Sequence, residues 1–140
     1  NRVYGTKGMV QYQFVVPFGQ EEAMRTVIER LSASGAASFL AVLKRFGGGN
    51  DAPLSFPAPG WTLALDVPGA SRGLADLLHG LDRLVLEAGG RHYFAKDGRT
   101  TAAAIRQGYP RLAEWKAVRD SVDPHGLWQS DLSRRLGLTD

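Results

Sequence analysis

The sequence predicts an α+β domain: a four-stranded antiparallel sheet with two helices packed on one face, followed by further helices at the C-terminus. Three observations predict it. Apolar and polar residues alternate in MVQYQFVVP and WTLALDV, the period of a half-buried strand. Two other segments carry apolar residues at helical spacing, each closed by a glycine. The order is strand, helix, strand, strand, helix, strand. That is the split βαβ, or ferredoxin-like, arrangement, with both helices on one face of the sheet.

The first strand is expected over residues 9–16. Helix one follows over about 20–34, with Ala23, Met24, Val27, Ile28 and Leu31 as its stripe. Glu21 and Glu22 suit the positive end of its dipole, and Gly35 suits its stop. Strand two is expected over 38–46. Residues 47–60 (GGGNDAPLSFPAPG) read as a loop, long for a compact domain and of a kind that is often functional. Strand three covers 61–67. Helix two runs over about 71–88, with Leu74, Leu77, Leu78, Leu81, Leu84 and Val85 facing inward and Gly89 as its stop. A short fourth strand is expected at 92–95. The rest reads as a helix near 100–107, a second begun by Pro110, a turn at 123–126 and a last helix near 130–136.

Side-chain parity divides the sheet. Tyr12/Phe14/Val16, Phe39/Ala41/Leu43 and Trp61/Leu63/Leu65 form three apolar rows expected beneath the helices. The opposite rows are Gln11/Gln13/Val15, Leu40/Val42/Lys44/Phe46 and Thr62/Ala64/Asp66. That second face mixes amide, ammonium, hydroxyl and apolar groups. A face meeting only water would be more uniformly polar, so it reads as a cleft wall or docking surface. Two long amides on a central strand need water, a ligand or another domain over them, because a stranded amide costs roughly 1–3 kcal/mol. In the tail, Leu112, Trp115, Val118 and Val122 recur near helical spacing, and Leu127 and Trp128 follow the turn. Two tryptophans there favour burial, either on this sheet or in a neighbouring domain.

Composition excludes several classes. Seventeen basic and fourteen acidic residues give a net charge of +3 with no block of like charge, which does not point to nucleic acid or a membrane surface. There is no cysteine, so disulfides, thiolate catalysis and cysteine-held metals are out. His79, His92 and His125 lack metal spacing and read as structural or solvated. No Ser-His-Asp set or phosphate loop is visible, and the lone GGG at 47–49 is too weak a signal for a phosphate cradle. Taken alone, Lys96 is a loop charge, Asp97 a charge partner of its basic neighbours rather than a general base, and Tyr93 a partly buried strand tyrosine. An RNA-recognition module would stack bases on open-face aromatics. Here Gln11, Gln13, Thr62 and Ala64 hold those positions.

The segments GMVQYQFVVP, SFLAVLKRFG, APLSFPAPGW, YFAKDGRTT and VDPHGLWQSDLSRRLGL occur in one order. In that order the chain resembles the C-terminal part of FAD-linked oxidoreductases of the vanillyl-alcohol-oxidase superfamily. It is most similar to the decaprenylphosphoryl-β-D-ribose 2′-oxidases of actinobacteria, the flavin subunit of a cell-wall arabinan epimerase. The resemblance implies that residues 1–90 are the late part of a substrate, or cap, domain and 91–140 the return segment of an FAD-binding domain. It implies an N-terminal FAD-binding domain outside this sequence, so the fragment alone is expected neither to hold FAD nor to turn over.

By the same resemblance, Lys96 reaches the flavin and the substrate hydroxyl, Tyr93 belongs to the flavin pocket, and Gln11, Gln13, Lys44 and Phe46 line the substrate. Thr62 and Ala64 fall at substrate-pocket positions where mycobacterial relatives carry Asn and Cys, a departure that bears on the exact substrate. The implied substrate is a polyprenyl-phosphate sugar oxidised at its 2′-hydroxyl, with an NAD-dependent reductase as partner and a cytoplasmic or membrane-associated, periplasm-facing location. The alternatives are another sugar-alcohol or aldonolactone oxidase of the superfamily, or a free-standing ferredoxin-like binding module.

Overall fold

A computed structural model of the chain describes residues 6–36 and 40–139. Its elements in order are β1 (Met9–Pro17), α1 (Glu21–Ala33), β2 (Leu40–Phe46), β3 (Gly60–Pro68), α2 (Leu74–Glu87) and β4 (Arg91–His92). A single 3-10 turn at Phe94–Lys96 leads into α3 (Ala102–Gly108), α4 (Leu112–Val122) and α5 (Asp131–Arg135). The strands align antiparallel in the order β2-β3-β1-β4, as expected for the ferredoxin-like arrangement. Among the described residues no helix is long and apolar enough to cross a membrane.

Parity builds the core. Tyr12, Phe14 and Val16 of β1 and Leu63, Leu65 and Val67 of β3 bury themselves against Met24 and Val27 of α1 and Leu74, Leu78, Leu81 and Val85 of α2. Both helices end where the sequence places glycine. Gly35 and Gly89 adopt φ of 68° and 72°, and the Gly90 amide closes α2 by donating to the Val85 carbonyl at 2.8 Å.

Three expectations change, and one falls outside what the structure describes. Phe39, placed in the covered row of the second strand, lies outside the described residues. Ala41 and Leu43 of the same row are exposed, Leu43 by 51%. They sit on the edge strand, whereas α1 and α2 pack on each other and over β1 in the middle of the sheet. Helix two starts at Leu74, not Ser71, because Gly73 takes a left-handed conformation (φ 68°) and the Ser71 amide turns back to the Pro68 carbonyl at 3.1 Å. The fourth strand pairs only through Arg91 and His92. Beyond Tyr93 the chain coils, with Lys96 and Asp97 amides donating to the Tyr93 and Phe94 carbonyls at 3.1 and 3.2 Å.

The tail makes a second, smaller core. Ile105, Tyr109, Leu112, Leu136 and Leu138 pack together, with Leu54, Phe94 and Trp115 against them. Trp115 is thus partly covered, whereas Trp128 is 82% exposed in this chain, so of the two expected places for its burial this chain does not supply one.

Phe14 is fully buried at the centre of the first core. Phe14→Ala is expected to lower unfolding free energy by about 3–5 kcal/mol, measured by urea titration. A loss below about 1 kcal/mol would mean that the two helices do not roof this row.

Candidate functional site

The face away from the two helices carries the residues that the sequence singles out. Register sets their order across the sheet: Gln11 faces Asp66, Gln13 faces Ala64, and Val15 faces Thr62. On the far side, Leu40 faces Asp66, Val42 faces Ala64, and Lys44 faces Thr62. Residues opposite one another on an antiparallel pair hold their Cβ atoms roughly 5 Å apart. Gln11, Gln13, Lys44, Thr62 and Ala64 therefore form one continuous surface.

The two amides find partners in the sheet itself. Gln11 Nε2 donates to Asp66 Oδ1 at 3.0 Å, and Gln13 Nε2 donates to Thr62 Oγ1 at 3.2 Å. Thr62 Oγ1 in turn donates to the Phe14 carbonyl at 2.7 Å. Neighbouring strands thus supply what water or another domain was expected to supply. Each glutamine keeps its carbonyl oxygen unbonded among the described residues, so each remains an acceptor at the surface. Thr62, Ala64 and Asp66 are buried, with Thr62 at 1% exposure. Thr62 acts on this surface through Gln13, which it orients. Lys44 is exposed, and its ammonium has no partner among the described residues.

An aromatic wall closes one end of the face. Phe56, from the loop after β2, meets Phe46 edge-on at 5.7 Å and stacks on Tyr93 at 4.6 Å between centroids. Tyr93 belongs to the same face because its amide donates to the Gln13 carbonyl at 2.9 Å, continuing the pairing of β1 with β4. The loop that carries Phe56 is tied down by two arginines. Arg91 Nη1 donates to the Ser55 carbonyl at 2.9 Å, and Arg111 Nη1 donates to the Asp51 carbonyl at 2.6 Å. Sequence reading marked the loop as functional but missed Phe56. The available signal was the one aromatic of the loop, held between a serine and a proline.

Lys96 ends the 3-10 turn that follows Tyr93. It is half-buried, and its ammonium makes no hydrogen bond or ion pair among the described residues. Its neighbours are tightly held. Asp97 Oδ1 accepts from the Arg99 and Thr100 amides at 2.9 and 2.6 Å, and Asp97 Oδ2 accepts from Arg135 Nη2 at 2.8 Å. Burial alone would raise the Asp97 carboxyl, but those two amides and the Arg135 guanidinium hold it below the usual range. Asp97 is a charge partner, as expected, although its cation is the distant Arg135.

On the helix side of the sheet lies a buried polar cluster that sequence reading missed. Asp82 Oδ1 accepts from the Tyr12 hydroxyl and lies against His92 Nε2, both at 3.0 Å, while Asp82 Oδ2 pairs with Arg99 Nη2. Burial pushes the Asp82 carboxyl up, yet His92 and Arg99 outweigh it and leave the group below its ordinary value. The Tyr12 hydroxyl is driven the other way, first by burial and then by the Asp82 charge. His92 Nδ1 has no partner among the described residues, and the tautomer with its proton on Nε2 leaves only a lone pair there. Asp82 falls on the apolar stripe of α2, one residue after Leu81 and three before Val85, and that placement was the signal. Among the described residues no group of ligating side chains is arranged to hold a metal ion.

Comparison with known proteins places this geometry. The profile of the D-arabinono-1,4-lactone oxidase family matches residues 62–136, just over half of the chain. A decaprenylphosphoryl-β-D-ribose oxidase of Mycolicibacterium smegmatis is 52% identical over 99% of this chain and 30% of its own length. A Streptomyces coelicolor protein described as an uncharacterized protein in the mprA 5′ region is 42% identical over 94% of this chain and 36% of its own. An L-gulono-1,4-lactone dehydrogenase of Mycobacterium tuberculosis is 24% identical over 96% of this chain and 33% of its own. The chain spans about a third of the length of these relatives, and it belongs to the D-arabinono-1,4-lactone oxidase family.

The Asp82 cluster gives a pH-dependent expectation. A carboxyl held lower in the folded state contributes stability above its unfolded pKa and loses it as pH falls through the folded one. Asp82→Asn should therefore cost on the order of 3 kcal/mol at neutral pH, where Arg99 and His92 lose their anion. The gap between variant and parent should narrow below about pH 4. Urea titrations at pH 7 and pH 3 measure it, and a gap that stays constant would show that Asp82 is not the ionised partner.

Proposed function

We propose that this member of the family is the substrate-facing portion of an FAD-dependent oxidoreductase that oxidises a sugar hydroxyl. We take the substrate to be decaprenylphosphoryl-β-D-ribose, oxidised at its 2′-hydroxyl. The observation that carries the reading is the 52% identity to the Mycolicibacterium smegmatis oxidase, sustained over almost the whole chain. The side chains fit a flavin on one edge. Lys96, half-buried and with an ammonium that has no partner among the described residues, lies three residues after Tyr93, whose ring stacks on Phe56. A free ammonium is the donor that a developing oxyanion or an electron-rich carbonyl edge calls for.

FAD, held largely by the remainder of the polypeptide, supplies the hydride acceptor. The residues of this chain orient and polarise. Lys96 donates to the hydroxyl under oxidation or to the flavin edge. Gln11 and Gln13 present acceptor oxygens to sugar hydroxyls, and Lys44 meets the phosphate by charge. Phe46, Phe56 and Tyr93 form an apolar end that excludes water. An NAD-dependent enzyme that accepts the ketone product is the natural partner.

The exposed apolar residues of the tail suit a second domain. Val118 and Val122 lie one turn apart on α4, and Leu127 and Trp128 follow the turn. That turn is not loose: Asp123 accepts from the Leu127 and Trp128 amides at 2.8 and 2.9 Å. Apolar side chains displayed on a braced turn mark an interface, and the FAD-binding domain is the occupant proposed.

A second reading within the family is an aldonolactone or sugar-alcohol oxidase. It is favoured by the family description and by the resemblance to the L-gulono-1,4-lactone dehydrogenase. Thr62 and Ala64, set beneath Gln13 and Lys44, bear on this choice because they shape the floor of the cleft.

The test uses the flavin-loaded full-length polypeptide under anaerobic conditions. A polyprenylphosphoryl ribose is expected to bleach the flavin absorbance, and an aldonolactone is not. Lys96→Met, with flavin content measured alongside, is expected to slow bleaching by about 10²–10³-fold. Bleaching by the lactone alone would select the second reading, and an unchanged rate in Lys96→Met would remove Lys96 from the chemistry.

A further inference from the structure

We propose that Arg135, on the last helix, is a positioning residue that fixes the loop presenting Lys96. The inference rests on the reading of Lys96 given above. It begins with α5, which is only five residues long. A helix that short does not persist on backbone bonds alone. This one is locked at both ends. Ser130 and Ser133 exchange side-chain-to-amide bonds at 2.8 and 3.1 Å across its first turn. Gly137, at φ 63°, closes the other end, with the Leu138 amide donating to the Ser133 carbonyl at 2.8 Å. Leu136 and Leu138 then anchor it in the second core.

This bracing fixes where the basic side chains of α5 emerge. Arg134 turns back on its own helix, to Asp131 and Gln129. Arg135 crosses to the Lys96 loop. Its Nη2 donates to Asp97 Oδ2 at 2.8 Å and its Nη1 to the Thr100 carbonyl at 2.5 Å. The Asp97 side chain is only 4% exposed, so the pair is shielded on the carboxylate side. A guanidinium can span these two acceptors as a fork, whereas an ammonium offers a single point of charge.

The loop is held from two other directions. The Tyr93 amide binds β1 through the Gln13 carbonyl, and Arg99 reaches Asp82 on α2. Residues 93–100 are therefore fixed by three separate elements, and the Lys96 backbone amide is bonded to the Tyr93 carbonyl while its ammonium makes no bond among the described residues. A scaffold this constrained around one unpartnered ammonium is what pre-organisation of a donor requires. From outside the βαββαβ unit, the C-terminal helix supplies a charged tether beside the packing of Phe94 on Tyr109.

Amide hydrogen exchange and the acylation rate of the Lys96 amine, both measured on this chain, test the proposal. Arg135→Ala is expected to speed exchange at the Arg99 and Thr100 amides by about tenfold or more and to change Lys96 acylation, while Val15 and Leu65 keep their protection. Arg135→Lys should fall between, and Asp97→Asn, which retains the Oδ1 acceptor, should match Arg135→Ala. Unchanged exchange at Arg99 and Thr100, or a loss shared equally by Val15 and Leu65, overturns the proposal. In the flavin-loaded full-length polypeptide, Arg135→Ala should lower kcat with KM for the sugar held. If Lys96→Met abolishes turnover and Arg135→Ala leaves kcat unchanged, the positioning role is refuted. If Lys96→Met leaves kcat intact, the reading of Lys96 itself is at fault.

Discussion

A single buried carboxylate joins the parts of this molecule. Asp82 reaches into the main core from α2 and meets Tyr12 of β1, His92 of β4 and Arg99 of the loop beyond. Burying a carboxylate is costly unless its lone pairs are filled and its charge is met. Here both conditions hold, with two hydrogen-bonding rings on one oxygen and a guanidinium on the other. Replacing such a cluster with apolar side chains can leave a protein equally stable. Its value lies in geometry: it sets how α2, the central strand and the Lys96 loop stand relative to one another, which apolar packing alone does loosely.

The other face follows a different rule. Its amides do not wait for a ligand, because Asp66 and Thr62 of β3 satisfy them across the register. A glutamine with its amide nitrogen engaged and its carbonyl free is an oriented acceptor. Losing water from that carbonyl when a hydroxyl donor arrives exchanges one bond for another at little net cost. The surface is thus ordered before anything binds, which reduces the entropy that binding must overcome.

Much of this was legible in the sequence, and the reasons are specific. Period-two alternation assigned Tyr12, Phe14 and Val16 to one face and Gln11 and Gln13 to the other, since a strand allows no other choice. Gly35 and Gly89 marked helix ends because only glycine takes that backbone conformation without strain. Legibility failed where partners are distant in sequence. Asp82 and Arg99 are ordinary surface residues until the fold brings them together, and the contact from Arg135 to Asp97 spans 38 positions. Leu43 failed for another reason. Its parity was right, but parity says which way a side chain points and not whether anything is there to cover it.

The tail shows how one segment can serve two ends. One side of it, through Leu112, Leu136 and Leu138, forms the second core and holds α5 where Arg135 can act. The other side leaves Val118, Val122, Leu127 and Trp128 in solvent. Apolar residues in solvent are costly, and bracing them with the Asp123 turn removes the freedom to fold them away. Apolar side chains displayed together on a braced turn are what an interface presents. A partner seated there would press on α4 and, through the shared core, on the helix that carries Arg135. The second core would carry that pressure toward the loop of Lys96, whose tethers to β1, α2 and α5 are already in place in this chain.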